Sequence, residues 1–383
     1  MGYPVGVNML GSSKEKAGNQ IVERNPKEYD IKLREDRIGK YLVKHLKKFV
    51  FDELSGAYLE EKGKGKFNFM ANVPIPLRKE DIEAFKSEQG AKVTLIAENM
   101  AWVMGADPKF KYRDAYLEFM KANFGNKATA AIVKVGRNAA EKEEYDDAAI
   151  HFRAALCVEP QSLDAMYSYA RVCRAMYLEG KDEEYVGNFK AESLEFFELL
   201  IDIHPRFAPA HYYLGYAYLN LGLYMKAELV WKLFIAKTRN GKDKREIKER
   251  IHQLEKPIQV EKGYNLVLAG KWTEGIKILE PFIDSQYKDW WPLSYYLGIA
   301  YVNLGKKEQA IERFKHVLQI SPSNVETMEE LADIYRVCGD QENCKKYEEK
   351  ANLLKSGGHK EKAFKSPEGE MQKKRLKKVP RRK

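Results

Sequence analysis

Ser294-Tyr295-Tyr296-Leu297-Gly298-Ile299-Ala300-Tyr301, followed by Ala310, Phe314 and Pro322, decides how this chain folds. Shifted by about 34 residues, Leu297-Gly298 becomes Leu331-Ala332, Tyr301 becomes Tyr335 and Ala310 becomes Cys344, a spacing that marks a repeated pair of helices. The same phase recurs upstream in His211, Leu214-Gly215 and Tyr218 with Ala227 and Trp231, and in Val135-Gly136 with Ala148, Phe152 and Pro160. Two weaker copies lie between: Tyr169-Ala170 with Ser193, Phe197 and Pro205, and Lys262-Gly263 with Gly275 and Leu279. The small residue early in each unit lets the second helix approach the first, and the later small residue does the same from the other side. The aromatic or Leu is expected to fill the groove between neighbouring units. Pro160, Pro205 and Pro322 stop the second helix, because proline lacks the N–H that continues it.

Two intervals are long: Ala170 to Gly215 and Gly215 to Gly263 exceed the repeat by roughly 11 and 14 residues, placing charged insertions near 179–189 and 239–250. Loop entropy grows slowly enough to tolerate them. Glu348 stands where the last unit should be apolar, which suits a terminal helix with one wet face.

These motifs resemble the tetratricopeptide repeat family over about residues 128–354. The resemblance implies an all-α, right-handed superhelical solenoid of six helix pairs, and a concave groove lined by the first helix of each pair. Carried onto this sequence, the family's lining positions give Arg137, Tyr167, Arg171, Arg174, Tyr212, Tyr216, Tyr264, Tyr295, Glu329 and Asp333, with Val133, Leu219, Val260, Ile299, Val302, Glu326 and Arg336 beside them. The lining runs from basic through aromatic to acidic. The family's Lys and Asn set that clamps a chaperone's terminal carboxylate is missing from these positions, which disfavours a heat-shock adaptor.

Composition fits such a protein: 44% hydrophobic, 32% charged and 12% aromatic residues supply a continuous core without any stretch of membrane-spanning length. Residues 1–28 read as an unstructured start with neither a signal peptide nor a myristoylation site, since Gly6 replaces the required Ser or Thr. The four cysteines, Cys157, Cys173, Cys338 and Cys344, sit at helical positions with no CxxC and read as buried thiols of a cytoplasmic protein. Cys338 and Cys344 flank one turn, where a regulatory disulfide is the alternative.

Residues 29–127 carry no repeat. Tyr41, Leu42, His45, Leu46, Phe49, Val50, Leu54, Tyr58 and Leu59 recur at helical spacing and predict one long amphipathic helix ending at Gly63. Phe67, Phe69, Ala71, Val73, Ile75 and Leu77 alternate, predicting an extended arm in which Pro74 and Pro76 forbid a central strand. Helices are expected at 79–88, 92–104 and 108–123, the last with Asp107 as N-cap. Together this region should cap the solenoid.

No HExxH, GxSxG, GxxxxGK[ST] or Cys/His metal spacing occurs, so the sequence predicts no catalytic residue, cofactor or metal. His151 and His204 read as surface or helix-end residues, and Trp290-Trp291 as packing. The charge is uneven: residues 355–383 hold twelve Lys or Arg against three Glu, so +9 of the chain's +10 lies there. That tail reads as disordered, and Lys373, Lys374, Arg375, Lys377, Lys378, Arg381, Arg382 and Lys383 form a block able to neutralise phosphates or serve as a nuclear localisation signal. The expected function is a non-enzymatic adaptor holding a peptide or helical segment of a protein partner in the groove. The alternative is a nucleic-acid- or ribosome-associated factor that uses the tail.

Overall fold

The computed structural model describes residues 31–53, 67–82 and 92–357. The predicted disordered segments, 1–28 and most of the tail, therefore lie outside the described residues. The chain divides between Leu214 and Gly215, inside one helix, into two compact units.

In the first unit, a four-residue helix α1 (Gly39–Leu42) and a 3-10 stretch (Val43–Lys48) lead into β1 (Phe49–Glu53). The long amphipathic helix expected from Tyr41 is thus broken after a single turn: the apolar spacing is helical, but Phe49 and Val50 pair instead with β2 (Pro74–Arg78). The ladder is antiparallel, with Val50 opposite Leu77 and Phe51 opposite Pro76. Pro74 and Pro76, two apart, turn their missing donors to one side, which a two-stranded sheet tolerates. The alternation expected from Phe67 is interrupted by a 3-10 turn at Asn68–Met70, so only 74–78 is extended.

Next come α2 (Val93–Ala106) and α3 (Arg113–Phe124). The second begins five residues later than predicted. Asp107 caps no helix N-terminus; it ends α2 and accepts a hydrogen bond from the Lys109 N–H. Tyr116 and Asn99 hold the strand through the Pro74 and Pro76 carbonyls, at 2.5 and 3.1 Å.

The repeats follow as pairs: α4 (Lys127–Glu141) with α5 (Tyr145–Val158), and α6 (Leu163–Glu179) with α7 (Glu183–Ile203). A Cβ on Gly136 would lie 2.7 Å from the Phe152 ring, and the Ser193 hydroxyl donates to the Ala170 carbonyl at 2.9 Å. Helix α2 crosses α5 so closely that a Cβ on Gly105 would lie 1.9 Å from the Ile150 carbonyl oxygen. The first expected insertion is no loop: it extends α6 and α7 to 17 and 21 residues.

Residues 34–48 lie along α5 and α7, with Ile38 and Leu42 wholly buried. Arg153, 1% exposed, forks onto Asp36. Arg34 forks onto Glu192 at 3.0 and 3.2 Å, and Glu192 also accepts from the Tyr169 hydroxyl at 2.9 Å. Tyr41 packs edge-on to Tyr185, and His45 meets Asp146 at 2.9 Å. His151 is buried, contrary to the surface reading, with Nδ1 against the Asp147 carbonyl at 2.7 Å.

Helix α8 (Ala208–Asn220) carries the division between the units. The second unit continues with α9 (Tyr224–Lys237), α10 (Gly241–Gln253), α11 (Glu255–Leu268), α12 (Trp272–Leu279), α13 (Trp291–Asn303), α14 (Lys307–Ile320), α15 (Val325–Cys338) and α16 (Gln341–Gly357). The second insertion is a helix of its own, α10, begun by Asn240, whose side chain accepts from the Lys242 and Asp243 N–H groups.

One contact repeats along the unit. A Cβ on Gly215 would lie 2.1 Å from Trp231, on Gly263 2.6 Å from Leu279, and on Gly298 2.5 Å from Phe314. The large residue therefore sits on the glycine of its own unit, where the sequence placed it between units. Gly305 makes the turn from α13 to α14 at φ 73°, a conformation that favours glycine. Cys344 is buried but Cys338 is exposed, because it closes the last turn of α15, and both are free thiols.

Candidate protein-interaction surface

The expected lining residues all lie on the first helices of their pairs. On the first unit, Arg137 bridges to Asp164 at 2.9 Å, tying α4 to α6. Tyr167 stands edge-on to Phe207 at 5.0 Å and lies 6.0 Å from Tyr213. The Arg171 guanidinium lies 5.5 Å from the Tyr167 ring and 5.7 Å from Tyr213, while Arg174 lies 5.8 Å from Tyr213. Tyr213 is backed by Phe197, ring parallel to ring at 5.5 Å. Three of the expected lining residues, Tyr167, Arg171 and Arg174, thus converge on Tyr213, which the repeat register passed over by one position in favour of Tyr212. Beside them, Leu163, His204, Pro205, Arg206 and Phe207 line a hollow of about 500 Å³.

Tyr212 and Tyr216 are not open lining. Tyr212 is 7% exposed and turned edge-on to Tyr213. Tyr216 is 4% exposed, sits edge-on to Trp231 at 5.0 Å and donates its hydroxyl to Glu246 of α10 at 2.7 Å. The inserted helix covers this position. Burial first, then the Glu246 hydrogen bond, pushes the Tyr216 hydroxyl up to about 12.

Further along the second unit, Tyr264, Trp290, Tyr295 and Tyr296 lie together, each half-buried. Tyr264 stacks on Tyr296 at 5.0 Å and lies 6.5 Å from Trp290; Tyr295 lies 6.0 Å from Trp291, edge-on. Tyr296 and Trp290 were not among the expected lining residues, although Trp290 stands at a visible helix start. Burial, then the nearby Glu330 and Glu326 charges, raises the Tyr295 hydroxyl above its ordinary range. Burial raises the Glu330 carboxyl as well, with Asp333 and Glu329 adding to it. The expected acidic residues are engaged within the chain: Glu329 pairs with Lys355 at 2.5 Å and Asp333 with Arg336, which also holds Glu348. The acid acting on Tyr295 comes chiefly from Glu330 and Glu326, with a smaller part from Glu329.

Among the described residues no group of three or more His, Cys, Asp or Glu side chains is arranged to hold a metal ion, and no helix is long and apolar enough to cross a membrane.

Family models of the tetratricopeptide repeat match residues 196–228 and residues 293–324, the second spanning α13 and α14. Among solved structures, the chain is similar to the P58(IPK) TPR domain, with 19% identity, 65% of this chain covered and a TM-score of 0.37. It spans 64% of that chain. It is also similar to a tetratricopeptide repeat protein from Parabacteroides merdae ATCC 43184 (15% identity, 70% and 94% of the two chains, TM-score 0.31). A third is YrrB, described as a TPR protein with an unusual peptide-binding site (14% identity, 60% and 98%, TM-score 0.26). No curated protein matches the chain in sequence. With two matching repeat models and, among the described residues, six helix pairs, four of them closed by the same glycine-on-large-residue contact, the chain carries tetratricopeptide repeats.

Proposed function

We propose that this protein is a non-enzymatic interaction scaffold that holds an extended or helical segment of a protein partner against the first helices of its pairs. The observation that carries the reading is the aromatic row Trp290, Tyr264, Tyr296 and Tyr295, half-buried and connected ring to ring in the second unit. These side chains rest on the core of the unit, Tyr295 with its ring 5.8 Å from Phe314, and each keeps part of its surface exposed. The row offers rigid apolar area with hydroxyl edges, and such residues dominate interface energetics. Glu326 and Glu330 beside Tyr295 would orient a segment by charge. The region before α4 caps the first pair in this reading, supported by the close crossing of α2 on α5.

The test is the affinity of the protein for a partner recovered on the immobilised full chain and then purified. Aromatic contacts contribute about 0.5 to 1.5 kcal/mol each beyond burial. Tyr264→Ser with Tyr295→Ser should weaken the complex at least about tenfold at native far-UV circular dichroism. Unchanged affinity would remove the reading. A second reading, contact with RNA or DNA through residues 373–383, draws on the eight Lys or Arg among those eleven residues. For contact with roughly six duplex phosphates it requires log affinity to fall with log salt at a slope of about −5, and affinity to vanish when the tail is removed.

A further inference from the structure

We infer that the first unit carries a site for an acidic protein segment with an apolar anchor, built from Arg171, Arg174, Tyr167 and the hollow beside Phe207. This rests on the scaffold reading above and names the chemistry of what one part of the surface takes.

The arginines carry the inference. Arg137, on the preceding first helix, is paired with Asp164. Among the described residues neither Arg171 nor Arg174 has a carboxylate partner; each is laid instead on tyrosine rings at 5.5 to 5.8 Å. A guanidinium stacked on an aromatic face keeps its planar edge of N–H donors available, and that edge matches a carboxylate two bonds at a time. Both side chains are partly buried, and Tyr213 beneath them is locked against Phe197. The donors are thus held in place before a ligand arrives, which lowers the ordering cost of binding.

The second half of the recognition is apolar. Phe207 belongs both to the contact with Tyr167 at 5.0 Å and to the wall of the hollow, where Leu163 and Pro205 add apolar surface. The path from the Arg171 guanidinium over Tyr167 to Phe207 is within about 10.5 Å. An extended chain rises about 3.3 Å per residue and covers that path in about three residues. The ligand is therefore a segment in which a pair of Asp or Glu side chains lies about three residues from a Leu-sized side chain. Arg206 at the rim of the hollow adds to the preference for acid.

Fluorescence anisotropy with the full-length chain tests this. The probe is a labelled peptide, amidated at its C-terminus, with two adjacent Asp three residues from a Leu in an otherwise Gly/Ser sequence, prepared with the Leu on either side. Binding by one of the two orientations is expected, weakened at least tenfold by Arg171→Gln with Arg174→Gln, by Asp→Asn in the peptide, and several-fold by Leu→Ser. Raised salt should weaken the Asp peptide and leave its Asn counterpart unaffected. Lack of binding by both orientations to natively folded protein would overturn the proposal. Equal binding of Asp and Asn peptides, or of the double variant and the parent chain, would do so as well. Tight binding of an uncharged peptide with a free C-terminal carboxylate would overturn the assignment to side-chain acids. The Tyr264→Ser, Tyr295→Ser variant should bind the Asp probe normally; probe failure with an intact effect of that variant on the partner rejects this site alone, and the reverse rejects the scaffold reading at the second unit alone.

Discussion

Replacing Asp36 by Ala should unlatch the first unit from the segment that lies across α5 and α7. Arg153 is 1% exposed on α5, and Asp36 supplies both oxygens of its fork, one at 2.9 Å. Without Asp36 a full positive charge stays buried, and its Nε already lacks a hydrogen-bond partner. Removing one member of a buried ion pair costs about 3 to 5 kcal/mol. The Asp36 side chain is 27% exposed, so water can partly replace it and about 3 kcal/mol is the expected loss. At about 1.4 kcal/mol per factor of ten, amide exchange through unfolding of α5 and α7 should accelerate by about two orders of magnitude. Hydrogen exchange with mass spectrometry reads this by peptide, with α13 and α14 as the internal control expected to stay unchanged. Adding Arg153→Met should recover part of the loss, since the stranded charge is then gone. An Asp36→Ala chain within about 0.5 kcal/mol of the parent in α5 and α7 would refute the latch.

Gly298→Leu should lower the thermal midpoint of the second unit, at a cost of about 1 to 3 kcal/mol, because even its Cβ would lie 2.5 Å from Phe314. Gly187→Ala on α7, where a Cβ meets nothing within 4 Å, should instead stabilise by about 0.5 to 1 kcal/mol. Tyr216→Ala should destabilise by about 3 kcal/mol, since the ring is 4% exposed against Trp231 and its hydroxyl holds Glu246; no change in denaturation midpoint would place it back on an open surface. Burial holds the His151 imidazole below its ordinary 6.5, so folding favours the neutral ring. The unfolded chain takes up the proton first, so this stability is present above pH 6.5 and is lost as pH falls through the lowered folded value. His151→Leu should flatten that acid limb in urea titrations run below pH 6.5.

The repeats were legible because one contact recurs sixteen residues apart. Gly136 with Phe152, Gly215 with Trp231, Gly263 with Leu279 and Gly298 with Phe314 are local in sequence and leave a periodic trace. In the region before α4, α2, most of α3 and the extended stretch at 74–78 were legible from local spacing. The contacts of Arg34 with Glu192 and of Asp36 with Arg153 join residues over a hundred positions apart, and no local pattern announces them. Phe49 and Val50 satisfy a helical spacing equally well; their pairing with Arg78 and Leu77 decided for a strand. At the candidate surface, the register named Tyr167, Arg171 and Arg174, which the structure groups around Tyr213, but favoured Tyr212 over Tyr213. It also could not see that the inserted sequence near 241–253 would fold as a helix and close over Tyr216. Glu329 and Asp333 were found as acids, but Lys355 and Arg336 neutralise them through contacts that span the α15–α16 turn or one helical turn.

The first helices of the pairs, proposed to hold the partner, have an exposed rival on the second unit in the apolar stripe Met225, Leu229 and Leu233 on α9, where Leu229 is 62% exposed. Site-specific photo-crosslinking separates the two: a benzophenone amino acid replaces Tyr295 in one sample and Leu229 in another, and both are irradiated with the purified partner. The account predicts covalent adducts from Tyr295 and none above background from Leu229. Adducts from Leu229 with none from Tyr295 would contradict it.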